Sequence, residues 1–162
     1  DGVGLEKTAS EILTLGGRVR SEVLDMSDFT AINLLAGKIL ADGIRIDGLY
    51  QFAGISQRSL VAETPIEIDR KIMDINFFGV VALVKAILPD MIAKGGGQIS
   101  ITSSMVGKFG FPYRSAYSAS KHALHGFFES LLAENSKHNI KVSVLIPGRV
   151  KTNISKYKLD KD

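Results

Sequence analysis

The chain contains no cysteine among its 162 residues. This absence excludes a disulfide framework and a thiolate metal site, and it is typical of cytoplasmic proteins, so we expect a cytoplasmic location. The three histidines are scattered along the sequence. Without cysteine ligands and with so few imidazoles, we predict that the protein holds no metal.

The sequence also has no long uninterrupted apolar run. Its longest candidate, Phe77–Leu88, is interrupted by Lys85, whereas a membrane-spanning helix needs roughly 18 consecutive apolar residues. The first residues, Asp1–Gly4, do not form a basic region followed by an apolar run, which a secretory signal would require. We therefore expect neither a membrane segment nor a signal peptide.

The sequence has no large excess of positive or negative charge, since its net charge is only +3. Part of the surplus lies near the C-terminus, at Lys151, Lys156, Lys158 and Lys161. A nucleic-acid-binding surface would place such cations along one helix or between aromatic residues. This segment is better interpreted as solvated, and we expect no nucleic-acid partner.

Apolar periodicity and turn residues predict short strands that alternate with helices. The predicted helices are Glu6–Leu15, Phe29–Ala41, Ile68–Ala93 (with a kink near Leu88-Pro89) and Ser115–His138, and the predicted strands are Arg18–Leu24, Leu49–Ala53, Gln98–Thr102 and Lys141–Ile146. Either Ser27 or Asp28 would cap the second helix. This alternation is typical of an α/β fold with a parallel sheet covered on both faces. No repeat or linker divides residues 1–162, so we expect a single domain.

Tyr117 and Lys121 lie four residues apart near the start of a predicted helix, so their side chains share one face. Ionising a tyrosine of ordinary pKa at neutral pH costs roughly 4 kcal/mol. A lysine ammonium about 4 Å away supplies roughly 4 kcal/mol of attraction at an effective dielectric of about 20. Such a pair can act as a general acid or base near neutrality. The spacing alone also fits an ordinary exposed helix pair.

A hydroxyl group precedes this pair at a strand end. Ser104 lies thirteen residues before Tyr117, just after the apolar strand that ends at Thr102. Ligands of parallel α/β sheets bind at the carboxyl ends of the strands, so Ser104 could hold a substrate oxygen there. Ser103 is the alternative, and it could equally cap the strand end.

These segments closely resemble the active-site block of the short-chain dehydrogenase/reductase family. The resemblance rests on Ile101–Gly107 and Ser115–Leu124, and it extends in the family's order to Asp74–Gly79, the Pro-Gly segment Val144–Thr152 and the strand end Leu24–Met26. It implies a Rossmann-like, doubly wound parallel sheet. In this chain the match runs from about Glu6 to Ile154.

The resemblance also implies roles for individual residues. Tyr117 would be the general acid/base, and Lys121 would lower its pKa and bind the nicotinamide ribose. Ser104 would orient the substrate oxygen, and Asn76 would organise a proton-relay water. The implied cofactor is NAD or NADP, and the implied substrate is a small secondary alcohol or carbonyl compound. Besides Tyr117 and Lys121, the implied cofactor contacts are Asp25, Met26, Gln51, Ala53, Gly54, Pro147, Gly148, Val150 and Thr152.

The sequence departs from the family pattern in two places. The family's Asn-Asn-Ala-Gly is replaced by Gln51-Phe52-Ala53-Gly54, and Phe52 cannot make the hydrogen bonds of an asparagine. The glycine-rich turn that holds the pyrophosphate has no counterpart, since the resemblance begins after the family's second strand. The strand Arg18–Leu24 would then lack a neighbour, and we hypothesise that the chain is part of a longer polypeptide or receives strands from elsewhere.

Two functions follow as alternatives. The first is NAD(P)-dependent oxidoreduction, and the second is a catalytically silent or truncated family member that acts as a binding or scaffold domain. His122 and His125 lie close to Lys121, but no carboxylate or third ligand accompanies them, so a packed or solvated role is expected. The family's long helices pair across a two-fold axis, which implies a homodimer or homotetramer.

Overall fold

The elements follow one another in the order that an α/β protein requires. The structure, a computed structural model, describes residues 2–148, 150, 154 and 158–159. Its helices are α1 (Gly2–Thr14), α2 (Phe29–Ala41), α3 (Ile66–Met73), α4 (Gly79–Ala93) and α5 (Ser115–Asn135). Its strands are β1 (Gly48–Gln51), β2 (Ser56–Gln57), β3 (Gly97–Thr102), β4 (Ile140–Leu145) and β5 (Lys158–Leu159).

The main sheet is parallel and has the strand order β1-β3-β4. Tyr50 pairs with Ser100, which pairs in turn with Ser143, so the three strands run in register. Their carboxyl ends therefore meet at one edge of the sheet. The strands β2 and β5 form a separate parallel pair. The predicted α/β class is confirmed.

One face of this sheet carries the core. Its buried apolar side chains come from α2, α4, α5 and the strands, and include Ala36, Val80, Val84, Ile87, Met91, Ile99, Ile101, Leu124, Phe128, Leu131 and Ile140. Along β4 the buried positions alternate with exposed ones, beginning with buried Ile140 and exposed Lys141. On that second face Tyr50 is 60% exposed. Among the described residues the sheet is thus covered on one face, whereas the sequence pattern predicted cover on both.

The predicted strand Arg18–Leu24 is wrong. This segment forms no strand and has no ladder partner among the described residues, and Val23 is 71% exposed. The reason is that a strand forms only against a neighbour, and no described segment lies beside it. At its end the carboxylate of Asp28 accepts a hydrogen bond from the Ala31 N–H (2.9 Å), so Asp28 rather than Ser27 caps α2.

A long helical segment, Ile66–Ala93, crosses the core and contains an irregular turn. The irregular turn is a π-helix at Asp74–Phe78, whereas Pro89 lies within α4 without ending it. Among the described residues this is the one helix whose length and composition would suffice to cross a membrane. A core helix of a soluble protein passes the same test, and Val84 of this helix is fully buried.

The turn between α4 and β3 depends on glycine. Gly95 and Gly96 have φ angles of +93° and +96°, a backbone conformation that favours glycine. At Gly96 a Cβ atom would lie 2.3 Å from the Asn139 carbonyl oxygen. At Gly95 a Cβ atom would meet no described heavy atom within 4 Å. A side chain at either position would be strained by the positive φ angle, but only a side chain at Gly96 would also meet a backbone atom.

We therefore expect Gly96→Ala to lower the free energy of unfolding by clearly more than Gly95→Ala. The control, Gly95→Ala, should lower the free energy of unfolding only by the cost of an alanine in a left-handed conformation, about 1–2 kcal/mol. Urea denaturation of both variants measures the difference. Equal losses would show that the Asn139 carbonyl does not constrain this turn.

Candidate active site

The carboxyl ends of the main strands open into a cavity of about 560 Å³. Its lining residues are Phe52, Ala53, Gly54, Thr102, Ser103, Ser104, Tyr117, Lys121, Leu145, Pro147, Gly148, Val150 and Ile154. The segments after β1, β3 and β4 contribute most of this lining, and α5 contributes the tyrosine and the lysine. The cavity thus lies where parallel α/β sheets bind their ligands.

Lys121 is the buried cation of this cavity. Its side chain reaches back from α5 to the end of β3, where the Nζ atom donates a hydrogen bond to the Thr102 carbonyl (2.7 Å). The residue is only 3% exposed. Burial disfavours the ammonium form and lowers the pKa of Lys121 to about 8. Most of the amine is still charged at neutral pH.

Tyr117 lies one helical turn before this lysine and is partly buried. The Lys121 Nζ atom is 5.8 Å from the centroid of its ring. Burial raises the pKa of Tyr117, while a hydrogen bond with the Ser104 side chain and the positive charge of Arg114 lower it. The net shift is upward, opposite to the balance inferred from charge alone. Burial acts on the phenol in addition to charge, and the amine of Lys121 is directed to the Thr102 carbonyl.

Two serines follow β3, and they have different partners. The hydroxyl of Ser103 is buried and lies 2.9 Å from His125 Nε2. The hydroxyl of Ser104 interacts with Tyr117 and accepts a hydrogen bond from the Val106 N–H (3.4 Å). Ser104 is therefore the hydroxyl that meets the phenol, and Ser103 and His125 hold the strand end against α5.

Asn76 lies in the π-turn and is fully buried. Its Oδ1 atom accepts a hydrogen bond from the Ile55 N–H (2.8 Å). Its Nδ2 atom donates to the Ile55 carbonyl (3.0 Å) and to Ser120 Oγ (3.1 Å). A π-turn is often found at functional sites, and here it places one amide where it joins the segment after β1 to α5.

Gly54 leaves room beside these groups. A Cβ atom at this position would lie 3.3 Å from Asn76 Oδ1 and 3.6 Å from Lys121 Nζ. A side chain here would occupy the space in front of the lysine, so the glycine keeps the backbone open to a ligand. Ala53, Pro147, Gly148 and Val150 also line the cavity. Of the predicted cofactor contacts, these residues are brought together with Tyr117 and Lys121.

Other predicted cofactor contacts lie elsewhere. The Gln51 side chain is buried, and its Nε2 atom donates to the Val80 carbonyl (3.1 Å) instead of reaching the cavity. Asp25 accepts hydrogen bonds from the Ser27 backbone and hydroxyl, which lower its pKa. Met26 packs with its backbone oxygen against Gly79 of α4. Thr152 lies outside the described residues.

Two residues near the site had no assigned role in the sequence interpretation. Phe52 is 68% exposed and lines the cavity, although the sequence marked it only as a departure. Arg114 lies next to the tyrosine motif, with its guanidinium carbon 5.9 Å from the centroid of the Tyr117 ring. Its position three residues before Tyr117 was visible in the sequence, but its partner Ser56 lies 58 residues away.

Comparisons with known proteins agree with this geometry. The family described as short chain dehydrogenase matches residues 2–162. The chain is 48% identical over 133 residues to dehydrogenase/reductase SDR family member 7B of Xenopus laevis. This aligned region covers 82% of this chain and 41% of the Xenopus protein. A short chain dehydrogenase/reductase of Burkholderia phymatum, solved with NAD, has a TM-score of 0.90 at 25% identity and covers 97% of this chain and 57% of its own.

A second solved structure is also similar. It is a Beutenbergia cavernae protein assigned as a NAD(P)-dependent gluconate 5-dehydrogenase and solved with bound NADP. Its TM-score is 0.88 at 31% identity, over 94% of this chain and 61% of that chain.

A parallel sheet with a ligand cavity at its strand ends defines a Rossmann-like α/β protein. Within that class, the chain belongs to the short-chain dehydrogenase/reductase family. It spans between 40% and 49% of the length of the curated relatives it matches.

The lowered pKa of Lys121 predicts how stability depends on pH. An unfolded lysine keeps its proton up to a pKa of about 10.5, whereas the folded one loses it at about 8. Between these values the unfolded chain binds more protons, so the contribution of Lys121 to the free energy of unfolding rises with pH. We expect the wild type to gain stability relative to Lys121→Met over this window and not below it.

Urea denaturation of the two proteins at a series of pH values tests this expectation. Taking the difference between them removes the titration of all other groups. Parallel stability curves across the window would mean that the amine is not buried as described.

Proposed function

We propose that this chain carries the catalytic part of an oxidoreductase that interconverts a secondary alcohol and a carbonyl compound with NAD or NADP. The observation that supports it best is the convergence of Tyr117, Lys121 and Ser104 on one cavity at the sheet edge. A phenol beside a hydroxyl and a buried cation is a suitable arrangement for proton exchange with a substrate oxygen.

The cavity fits the nicotinamide end of such a cofactor. Gly54 leaves space beside Lys121 in the cavity lining, where a ribose hydroxyl would find a donor. Pro147 and Gly148 form another part of the lining, where the ring would be held. Two structural relatives were solved with NAD and with NADP, which supports a nicotinamide cofactor here. The described lining does not include two of the implied cofactor contacts, Asp25 and Met26.

The chemistry divides between cofactor and protein. When bound, the nicotinamide supplies or accepts the hydride. In the reductive direction Tyr117 donates its proton to the carbonyl oxygen as the carbon accepts the hydride, and in the oxidative direction it takes the proton from the alcohol. Ser104 holds the same oxygen by a hydrogen bond. Lys121 provides the positive charge that stabilises the phenolate left after proton donation.

The protonation state of Tyr117 suits proton donation. Burial raises the pKa of Tyr117 above its usual value, so the phenol carries its proton at neutral pH. A protonated phenol is the form that reduction requires.

A catalytically silent binding domain is the second candidate, and Phe52 favours it. This aromatic ring occupies the place of the family's second asparagine and projects into the cavity lining, with 68% of it exposed. An aromatic side chain cannot donate or accept the hydrogen bonds of an amide. Such a change at the cofactor side would suit a domain that binds another molecule and does no chemistry.

The test uses the native-length protein with NADH and NADPH and a panel of secondary alcohols and ketones. We expect nucleotide binding, measured by nicotinamide fluorescence, and turnover that Tyr117→Phe reduces by about 10²–10⁴-fold, the usual contribution of a general acid/base. Binding should persist in this variant because the lysine remains.

Tyr113→Phe is the matched control, since it removes a phenolic hydroxyl from a residue that is 48% exposed. It should keep full turnover. Absence of nucleotide binding would support the silent domain, and equal activity of the Tyr117→Phe variant and the wild type would refute the proposed chemistry.

A further inference from the structure

Arg114 is the residue immediately before α5, and its side chain is fixed at both ends. Its Nη1 atom donates a hydrogen bond to the hydroxyl of Ser56, which is fully buried. Its backbone carbonyl accepts a hydrogen bond from the Ser118 N–H (2.7 Å) in the first turn of the helix. The guanidinium is therefore held in one place next to the ring of Tyr117, 5.9 Å from its centroid.

The charge of this guanidinium is not neutralised by an ion pair within residues 2–148. The ion pairs described there involve Lys7, Arg20, Arg45 and Lys94 as cations, and none includes Arg114. An arginine remains protonated at every pH at which the protein is folded. A permanent positive charge thus lies beside the phenol.

The segment that anchors Arg114 also holds the backbone of the tyrosine. Gln57, fully buried, accepts a hydrogen bond from the Tyr117 N–H at its Oε1 atom (3.2 Å). Its Nε2 atom donates to Ser115 Oγ (3.1 Å). The segment after β1 therefore fixes the start of α5 through two of its residues: Gln57 binds the Tyr117 backbone, and Ser56 binds the Arg114 side chain. These contacts join residues about 60 positions apart in the chain.

We propose that Arg114 is a positioning residue for Tyr117: anchored on Ser56, its guanidinium holds the phenol ring in place and adds a second positive charge to that of Lys121. The catalytic meaning of this role rests on the proposed function. The placement of Arg114 and its positive charge do not depend on the proposed function.

The two cations differ in how they respond to pH. Within the described part of the chain, the charged and polar side chains that face Tyr117 are Lys121 from α5, Arg114 from the segment before it, and Ser104 from the turn after β3. The pKa of Lys121 is lowered to about 8, so its charge is lost in alkaline solution. Arg114 keeps its charge, and this charge lowers the pKa of Tyr117 against the effect of burial. The phenolate thus has a stabilising partner that Lys121 cannot replace.

The test is a ¹⁹F NMR titration of the native-length protein labelled with 3-fluorotyrosine. The chain has four tyrosines, and the resonance of Tyr117 is the one missing from the Tyr117→Phe variant. Fluorination lowers the pKa of the phenol, which brings its midpoint toward the range in which the protein stays folded. The readout is the midpoint of the Tyr117 resonance and needs no turnover.

We expect the midpoint to rise in Arg114→Gln and to stay closer to that of the wild type in Arg114→Lys, which keeps the charge. Arg58→Gln is the matched control: it removes the same charge from an exposed residue of the anchoring segment, and it should leave the midpoint unchanged. Ser56→Ala keeps the charge of Arg114 but removes its anchor, so we expect a smaller rise.

A midpoint that moves no more in Arg114→Gln than in Arg58→Gln would overturn the inference. If Arg114→Gln does not fold, Ser56→Ala decides, because an unchanged midpoint in that variant also overturns the inference. This test distinguishes the inference from the proposed function. A shifted midpoint without turnover supports the role of Arg114 and refutes the oxidoreductase function. Turnover without a shift supports the oxidoreductase function and refutes the role of Arg114.

Discussion

The hydrogen bond from the Lys121 amine to the Thr102 carbonyl is the interaction on which the site depends. It joins α5 to the carboxyl end of β3 at 2.7 Å, and so fixes where the tyrosine one turn earlier can lie. Without it the buried ammonium would lack a described acceptor, and a buried charge without a partner is costly. The Thr102 carbonyl at the end of β3 supplies that partner.

Burial acts on the two titratable groups of the site in opposite directions. It lowers the pKa of Lys121 and raises that of Tyr117, because in each case the charged form loses its water. At neutral pH both groups therefore carry their protons. The hydrogen bond with Ser104 and the positive charge of Arg114 then limit how far the pKa of Tyr117 rises. The site is best described as a phenol kept neutral and ready to donate, within reach of cations that would stabilise its anion.

Much of this arrangement could be predicted from local sequence. The limits of α2 agree with the predicted Phe29–Ala41, because its apolar period and its Asp28 cap are local features. The rule that ligands bind at the carboxyl ends of parallel strands predicted a hydroxyl at the end of β3 but left Ser103 and Ser104 open, and the resemblance to the family selected Ser104. Membership of the family was visible in the order of its motifs.

The rest depended on contacts that the sequence does not encode locally. Arg18–Leu24 has the composition of a strand but lacks a neighbour to pair with. Gln51, the last residue of β1, points to the buried side of the sheet, toward Val80. The next residue, Phe52, lies just beyond the strand and lines the cavity. The pairing of Arg114 with Ser56 joins residues 58 positions apart, and only the fold reveals it.

The most direct test of this account is the titration of the Lys121 side chain itself by ¹⁵N-detected NMR of the native-length protein, with the resonance assigned from the Lys121→Met variant. We expect the amine to lose its proton at a pKa of about 8, because it is buried and hydrogen-bonded to the Thr102 carbonyl. A midpoint at the usual lysine value of about 10.5 would contradict it, since the amine would then lie in water and not at the end of β3.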